Sequence, residues 1–420
     1  MAGTFERIAD WLQRVALVDA SLEDLIEGLS SRLRDAGIPV ARISMGRILM
    51  HPVIGIVDVT WDADARRADN TIYPRSAILA SAGEKSPFVE LGNAAHAAAS
   101  TLRHLRGLEL ADAMPEWPYL NDDLNDPATR GKYPLYGRLA ATGMTGYVAF
   151  VAPFGLRPVT LGAGRQYHLG ATVSYATRRQ SGFTEPEIEG FRRINLPLMS
   201  VVRLVTEKFF VSELVEAYLG RISGQSVLSG QIARGDVRRI DCALFFSDMR
   251  GSTLLSQRLP PEDYVAALNW YFDCVAGAVI DHGGEVLKFM GDGLLAIFPF
   301  DRQGRTPEDI CANALSAARE AFHRRNALDR PDLVEFGIGL HAGEVIYGNV
   351  GTEKRLDFTV IGTSVAKASR VEGLTRVLDT PLLATTAFAA FVPESARHLG
   401  THRLRGFDEE VEVASFDLAG

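Results

Sequence analysis

Two acidic residues stand where the chain should end a strand or turn. Asp248 follows Cys242–Ser247, an apolar run without a turn residue that reads as a buried strand. Asp292 lies in Gly291-Asp292-Gly293, between the strand-like runs Glu285–Met290 and Leu294–Phe298. Glycine supplies the positive φ of a tight hairpin turn there. Two carboxylates on rigid strand ends are what is needed to hold a pair of Mg²⁺ or Mn²⁺ ions against polyphosphate oxygens. Taken alone, Asp248 reads better as a helix cap and Asp292 as an ordinary turn residue. Together, with Lys288 four residues before Asp292, they fit the narrower chemistry. Between them, Met249-Arg250-Gly251-Ser252-Thr253 opens a helix, where free backbone N–H groups can receive a phosphate.

The elements that must position these groups follow in order. One amphipathic helix is expected from about Leu254 to His282. Gly337–Leu340 and Glu344–Tyr347 read as paired strands around His341-Ala342-Gly343. Lys354 and Arg355 fall in a polar turn, Phe358–Ile361 reads as a strand and Ser364–Gly373 as a helix. Late strands are expected at Pro381–Leu383 and within 404–418.

The segments FFSDMRGST, KFMGDGLLAIF, GIGLHAGEVIYGNVG and DFTVIGTSVAKASRVEG, in this order, resemble the catalytic domain of class III nucleotidyl cyclases, which make cyclic AMP or cyclic GMP. The resemblance covers roughly Ile240 to Leu418. It implies an α/β (α+β) fold with a ferredoxin-like βαββαβ core. It implies two ions, Mg²⁺ or Mn²⁺, held by Asp248 and Asp292 with the backbone carbonyl of Met249. It further implies a phosphate cradle at Arg250, Gly251, Ser252 and Thr253, and a triphosphate contact at Lys354. Lys288 and Thr359 would read the base, a pair that favours ATP. Arg370 would be the catalytic residue, stabilising charge on the phosphate in the transition state. The family's site forms between two chains, so a homodimer is implied, with Asp248 and Asp292 from one chain and Lys288, Thr359 and Arg370 from the other.

Two positions depart from the family. Ser252 stands where Phe is usual, and Ala366 where an Asn precedes the Arg by four residues. Alanine cannot donate a hydrogen bond, and loss of one transition-state donor costs about a hundredfold to a thousandfold in rate. The expectation is an adenylate cyclase that is slow or conditional. The alternatives are a non-catalytic nucleotide-binding regulator and a guanylate cyclase.

The N-terminal half carries no chemical motif. Phe5, Ile8, Trp11, Leu12 and Val15 share one helical face, and Leu22, Leu25, Ile26, Leu29 and Leu33 another. Ala41–Leu49, Gly55–Trp61, Tyr147–Val151 and Leu169–Ala176 read as strands, Asn93–Leu105 as a helix and Met114–Tyr133 as a loop. Gly146-Tyr147-Val148-Ala149, Ser174-Tyr175-Ala176-Thr177, Gly182-Phe183 and the TEPEIEGF helix are similar to the GAF-like domain found before many bacterial cyclases. The implied layout is a GAF-like α+β sensor domain over 1–190, a helical connector and dimerisation element over 191–239, and the catalytic domain over 240–420. An apolar stripe through Phe191, Ile194, Leu198, Val202, Val205, Phe209, Leu214 and Tyr218 suits a helix docked at its start and paired with a second chain later.

Composition sets the outer bounds. The chain has 420 residues, 47% of them hydrophobic, and a net charge of −8. That balance argues against nucleic acid as a partner, since phosphate backbones need basic patches. Three cysteines without framework spacing suggest reduced thiols and a cytoplasmic location. No apolar run approaches the ~20 residues of a membrane span.

Overall fold

The computed structural model describes residues 2–49, 51–76, 86–101, 118–154, 159–161, 165–167, 170–301 and 304–418. The chain divides into two compact units, Met1–Leu214 and Val215–Gly420.

The first unit opens with helices α1 (Ala2–Val15) and α2 (Leu22–Asp35). Ser21 caps α2 by accepting from the Asp24 amide, and Asp24 accepts in return from the Ser21 amide, which satisfies two otherwise orphaned donors. Strands β1 (Arg42–Ile48), β2 (Ile54–Asp62) and β3 (Arg67–Pro74) follow, then helix α3 (Pro87–Thr101). Next come β4 (Tyr119–Asp123), short helices α4 (Pro127–Arg130) and α5 (Pro134–Ala141), and β5 (Gly146–Pro153). The small hairpin β6 (Val159–Leu161) and β7 (Arg165–Tyr167) precedes β8 (Gly170–Thr177). Six of these strands form an antiparallel sheet in the order β3-β2-β1-β8-β5-β4.

Both faces of this sheet are covered, which explains the unbroken apolar run in β5. Val148 and Phe150 join a core with Phe5, Leu12, Leu25 and Phe191. Tyr147, Ala149 and Val151 join another with Leu91, Tyr136 and Leu139. The expected loop over Met114–Tyr133 in fact contains β4 and α4. Neither β3 nor β4 was anticipated, because both are sheet edges with mostly polar residues and lack the apolar alternation that marks a half-buried strand. Residues 102–105 of the expected helix and 114–117 of the expected loop lie outside the described residues.

Helix α6 (Glu185–Leu219) runs for 35 residues, tolerates Pro197 in its interior, and ends at Gly220 with φ 82°. Its early stripe packs on the first unit: Phe191, Ile194, Leu198 and Val202 are buried there, with Val205 and Phe209 packed against them. The unit boundary falls within this helix.

The second unit begins with α7 (Arg221–Leu228) and the 13-residue strand β9 (Val237–Met249). Helices α8 (Ser252–Arg258) and α9 (Pro261–Asp281) follow, so the single helix expected over Leu254–His282 is two. Pro260 and Pro261 divide it: they bring no amide donor and force Leu259 to an extended ψ of 149°. Then come the hairpin β10 (Glu285–Met290) and β11 (Gly293–Pro299), helix α10 (Pro307–Asn326), β12 (Phe336–Thr352) and β13 (Arg355–Ile361). Helix α11 (Thr363–Val377), β14 (Leu382–Thr385), α12 (Thr386–Ala389), β15 (Ala396–Arg403) and β16 (Glu410–Phe416) complete it.

The sheet order is β10-β11-β9-β12-β14-β16-β15, with β13 paired to β12. Within it, β9-α9-β10-β11-α10-β12 is a βαββαβ unit whose strands lie in the antiparallel order of a ferredoxin-like core. Helices α9 and α10 bury Tyr271, Val275, Ala314 and Leu315 against one face. On the other, α11 places Ala368 beside Leu244 and Val360.

The two strands expected around His341-Ala342-Gly343 are one 17-residue strand, β12. His341, Ala342 and Gly343 pair in register with Leu244, Ala243 and Cys242. Gly343 is there for space: a Cβ would come within 2.8 Å of the Ser364 hydroxyl. The three cysteines are free and buried, and no described helix is long and apolar enough to cross a membrane.

Strand β12 and the backbone of helix α11 approach closely at Gly339. A Cβ at that position would sit 2.4 Å from the Glu372 amide nitrogen and 2.6 Å from the Ala368 carbonyl, both backbone atoms that cannot swing aside. Gly339→Ala is therefore expected to cost about 1–3 kcal/mol of stability, as overpacking does, while Gly373→Ala, where a Cβ meets nothing within 4 Å, costs nothing of that size. Urea denaturation of both variants checks this.

Candidate active site

Asp248 sits one residue before the end of β9, at the centre of the sheet. Its neighbours in register are Gly293 on β11 and Gly337 on β12. Both glycines leave room for carboxyl groups. A Cβ at Gly293 would meet Asp248 Oδ1 at 3.1 Å, and one at Gly337 would meet Glu372 Oε1 at 2.9 Å. Asp292 occupies the second position of the β10–β11 turn, across from the end of β9. The turn has two residues, since Met290 pairs with Gly293. Positive φ (66°) falls on Gly291, the first of the two, as a type II′ turn requires. The Met249 amide donates to the Asp292 carbonyl at 3.0 Å, which ties the turn to the strand end.

The two acids share one electrostatic environment. Burial holds the Asp248 carboxyl above its ordinary range, and the charge of Asp292 adds to the effect. The Arg376 guanidinium opposes this by donating to Asp248 Oδ2. Asp292 Oδ2 accepts from the hydroxyl of Ser252, a residue only 6% exposed. Glu372, on α11, is a third carboxyl facing the site. It is pushed up to about 7, first by burial and then by Asp248, against the pull of Arg376 and Arg250.

Ser252 thus stands at the site, yet with its side chain on Asp292. Of the expected phosphate cradle, Arg250 is engaged elsewhere: its amide donates to the Glu335 carbonyl at 2.7 Å, and its guanidinium to the Thr375 carbonyl at 3.1 Å. Gly251 takes φ 70° and precedes α8, with Thr253 exposed in the first turn. The Met249 side chain is fully buried, so only its backbone can face a ligand.

The remaining residues do not join the two acids. Lys288 donates to Asp357 Oδ2 across β10 and β13. Two residues along β13, the Thr359 hydroxyl is buried and has no hydrogen-bond partner. Arg370 and Ala366 are both exposed, one turn apart on α11. Arg370 Nε donates to the Arg405 carbonyl at 3.3 Å. Lys367, the neighbour of Ala366, lies over the Phe407 ring. Lys354 is exposed in the β12–β13 turn.

Sequence reasoning missed Arg376, Glu372 and Asp357. A signal existed for the first two: Glu372 and Arg376 are four apart on the helix that carries Arg370, a spacing that brings them together on one face. Asp357 lies two residues before Thr359, hence on the same side of a strand.

The donor set fits a hard divalent cation. Two carboxylates whose charges disfavour each other gain from a cation between them, and oxygen ligands suit Mg²⁺ or Mn²⁺. Among the described residues no group of three or more His, Cys, Asp or Glu could hold a metal ion. An ion here would complete its shell with water or with oxygens from a bound phosphate.

Comparison with known proteins agrees with this domain. Residues 237–386 match the family model of the adenylate and guanylate cyclase catalytic domain. An uncharacterized protein of Mycobacterium tuberculosis, Rv1318c, is 37% identical over 220 residues, 51% of this chain and 39% of that protein. An adenylate cyclase of Anabaena cylindrica is 30% identical over 241 residues, 54% of this chain and 43% of that protein. The chain thus spans about two fifths of the length of these relatives. Among solved structures, a bacterial light-regulated adenylyl cyclase aligns with a TM-score of 0.45 at 27% identity, covering 53% of this chain and 65% of that one. Over residues 237–386 the chain is therefore similar to the catalytic domain of adenylate and guanylate cyclases.

Proposed function

We propose that the protein is an adenylate cyclase that converts ATP to 3′,5′-cyclic AMP and pyrophosphate at a site shared by two chains, under the control of a GAF-like N-terminal sensor domain. The observation that carries this reading is the convergence of Asp248 and Asp292 at one corner of a family-matched domain, with Ser252 orienting Asp292. Asp248, Asp292 and the Met249 carbonyl would hold Mg²⁺ or Mn²⁺. Such ions lower the pKa of a bound hydroxyl and offset charge on a polyphosphate.

The chain's own residues divide the remaining work. Lys288 and the unpartnered Thr359 hydroxyl would bind the adenine edge, with Asp357 holding Lys288 in place. Arg370 would stabilise charge on the reacting phosphate, and Lys354 would meet the triphosphate. The exposed positions of Arg370 and Lys354 suit groups that complete a site on a partner chain. Leu204, Val211 and Tyr218 support a homodimer: all are exposed on α6 at seven-residue intervals, the repeat of a coiled-coil seam. In the first unit, a cavity of about 260 Å³ is lined by Arg42, Asp58, Arg138 and Tyr147, whose buried hydroxyl makes no hydrogen bond. It supports a sensor that takes a small polar ligand.

A second reading, a nucleotide-binding regulator without turnover, is favoured by Ala366, which brings no donor to the exposed α11 face. The product assay decides between them. With ATP and Mn²⁺ the full chain is expected to form cyclic AMP, with less product from GTP, and Asp248→Ala to form none. Nucleotide binding without either cyclic product overturns the cyclase reading. Ala366→Asn is expected to raise turnover, by up to about a hundredfold if the missing donor limits it.

The shared site predicts complementation. Mixed Asp248→Ala and Arg370→Ala chains, each inactive alone, should regain part of the wild-type rate. No recovery beside an active wild type would sink the two-chain site. Ser252→Ala removes one hydrogen bond to a charged group, a contribution of about 1.5–3 kcal/mol. It is expected to weaken Mn²⁺ binding, read by the electron paramagnetic resonance of the free ion, while the thermal midpoint moves by only a few degrees.

A further inference from the structure

Arg376 stands between two carboxyl groups and uses only one of them. It donates to Asp248 Oδ2, and its side chain is about half exposed. One turn earlier on α11, Glu372 is 5% exposed, and its Oε1 is buried without a hydrogen-bond partner. The glycines at 337 and 339 make this burial possible, since a side chain at either would collide with Glu372. A buried carboxyl oxygen without a donor is costly. The Thr375 hydroxyl and Arg250 Nε are buried without partners beside it, but the charged donor on its own helix face is Arg376, four residues away and occupied by Asp248.

We propose that Arg376 is an exchangeable counter-ion: it neutralises Asp248 while the site holds no cation, and moves to Glu372 when a divalent ion takes the Asp248 carboxylate. This rests on the reading of Asp248 and Asp292 as the cation-binding pair. The physical reason is charge balance. A divalent ion at Asp248 repels the guanidinium beside it, and Glu372, on the same helix, is the carboxyl that holds an oxygen without a hydrogen-bond partner. Arg250 also acts on Glu372: one guanidinium nitrogen donates to the Thr375 carbonyl, while its Nε is buried without a partner, and it stays beside Glu372 whichever carboxyl Arg376 holds. Glu372 and Arg376 are positioning residues: they set how readily the Asp248 carboxylate is released to a ligand, and neither needs to touch one.

The test is a double-mutant cycle on Mn²⁺ binding by the full chain without nucleotide, read by the electron paramagnetic resonance of free Mn²⁺. The chains are wild type, Arg376→Gln, Glu372→Gln, the double variant and Asp248→Ala. Glu372→Gln should weaken binding about fivefold when Arg376 is present, the size of one part-exposed ion pair. It should change little in the Arg376→Gln background, and the double variant should bind more tightly than Glu372→Gln alone. Simple attraction between Glu372 and the ion predicts the reverse, an equal or larger loss once Arg376 is gone, and that result overturns the exchange. If the wild type binds no Mn²⁺, or Asp248→Ala binds it equally well, the cation-pair reading fails and the exchange fails with it. Thermal midpoints near that of the wild type show that each variant is folded.

Discussion

Three carboxyl groups crowd one corner of the C-terminal sheet, and their mutual repulsion is the constraint on which the site depends. Asp248, Asp292 and Glu372 come from a strand end, a hairpin turn and a helix; Asp292 raises the cost of ionising Asp248, and both raise that of Glu372. Charges in a partly desolvated place persist only when paired or hydrogen-bonded. The local structure can be read as a set of answers to that cost. Arg376 pairs with Asp248, Ser252 donates to Asp292, and Glu372 is held toward its neutral form by burial. Glycines at 293 and 337 keep β-carbons out of the space these groups occupy. Such a corner stores an affinity for positive charge, which is the property expected of a site for metal-bound polyphosphate.

The rest of the candidate machinery is arranged differently. Lys288, Asp357 and Thr359 gather where β10 meets β13, while Ala366 and Arg370 look outward from α11. An exposed arginine and an unsatisfied buried hydroxyl gain little in an isolated chain. They make physical sense if a ligand or a second chain meets them, which is what the proposed shared site supplies. Behind them, the segment after α6 is fastened to the same sheet. The Ser223 amide and hydroxyl donate to the buried Glu285 carboxylate at 2.6 and 2.7 Å, at the start of the strand that carries Lys288. Any movement of α7 would therefore be felt by β10 directly.

Much of this was legible in the chain itself. Apolar runs without turn residues marked β9, β5 and β8, because strands covered on both faces need no polar side. Gly291 marked the hairpin that presents Asp292, because only glycine takes positive φ there without strain. The 3.6-residue apolar period marked α1, α2 and the start of α6. The order of the motifs was enough to place two acids on neighbouring strand ends. What failed did so for local reasons. Edge strands β3 and β4 carry no apolar alternation. Gly343 looked like a turn and is a spacer inside β12. Pro260-Pro261 divides a stretch whose apolar period reads as one helix.

The sequence by itself marked the two acids as a candidate pair, through residue type and short-range spacing, and offered the lysine, the threonine and the arginine as candidates through the family resemblance. Only the tertiary structure decided how they are paired. Arg376 reaches Asp248 across 128 positions of the chain, Ser252 reaches Asp292 across 40, and Lys288 reaches Asp357 across 69. Separations of this kind leave no periodic trace in a sequence. They are set by which strands lie next to one another, and here that order came from packing α9 and α10 on one face of the sheet and α11 on the other.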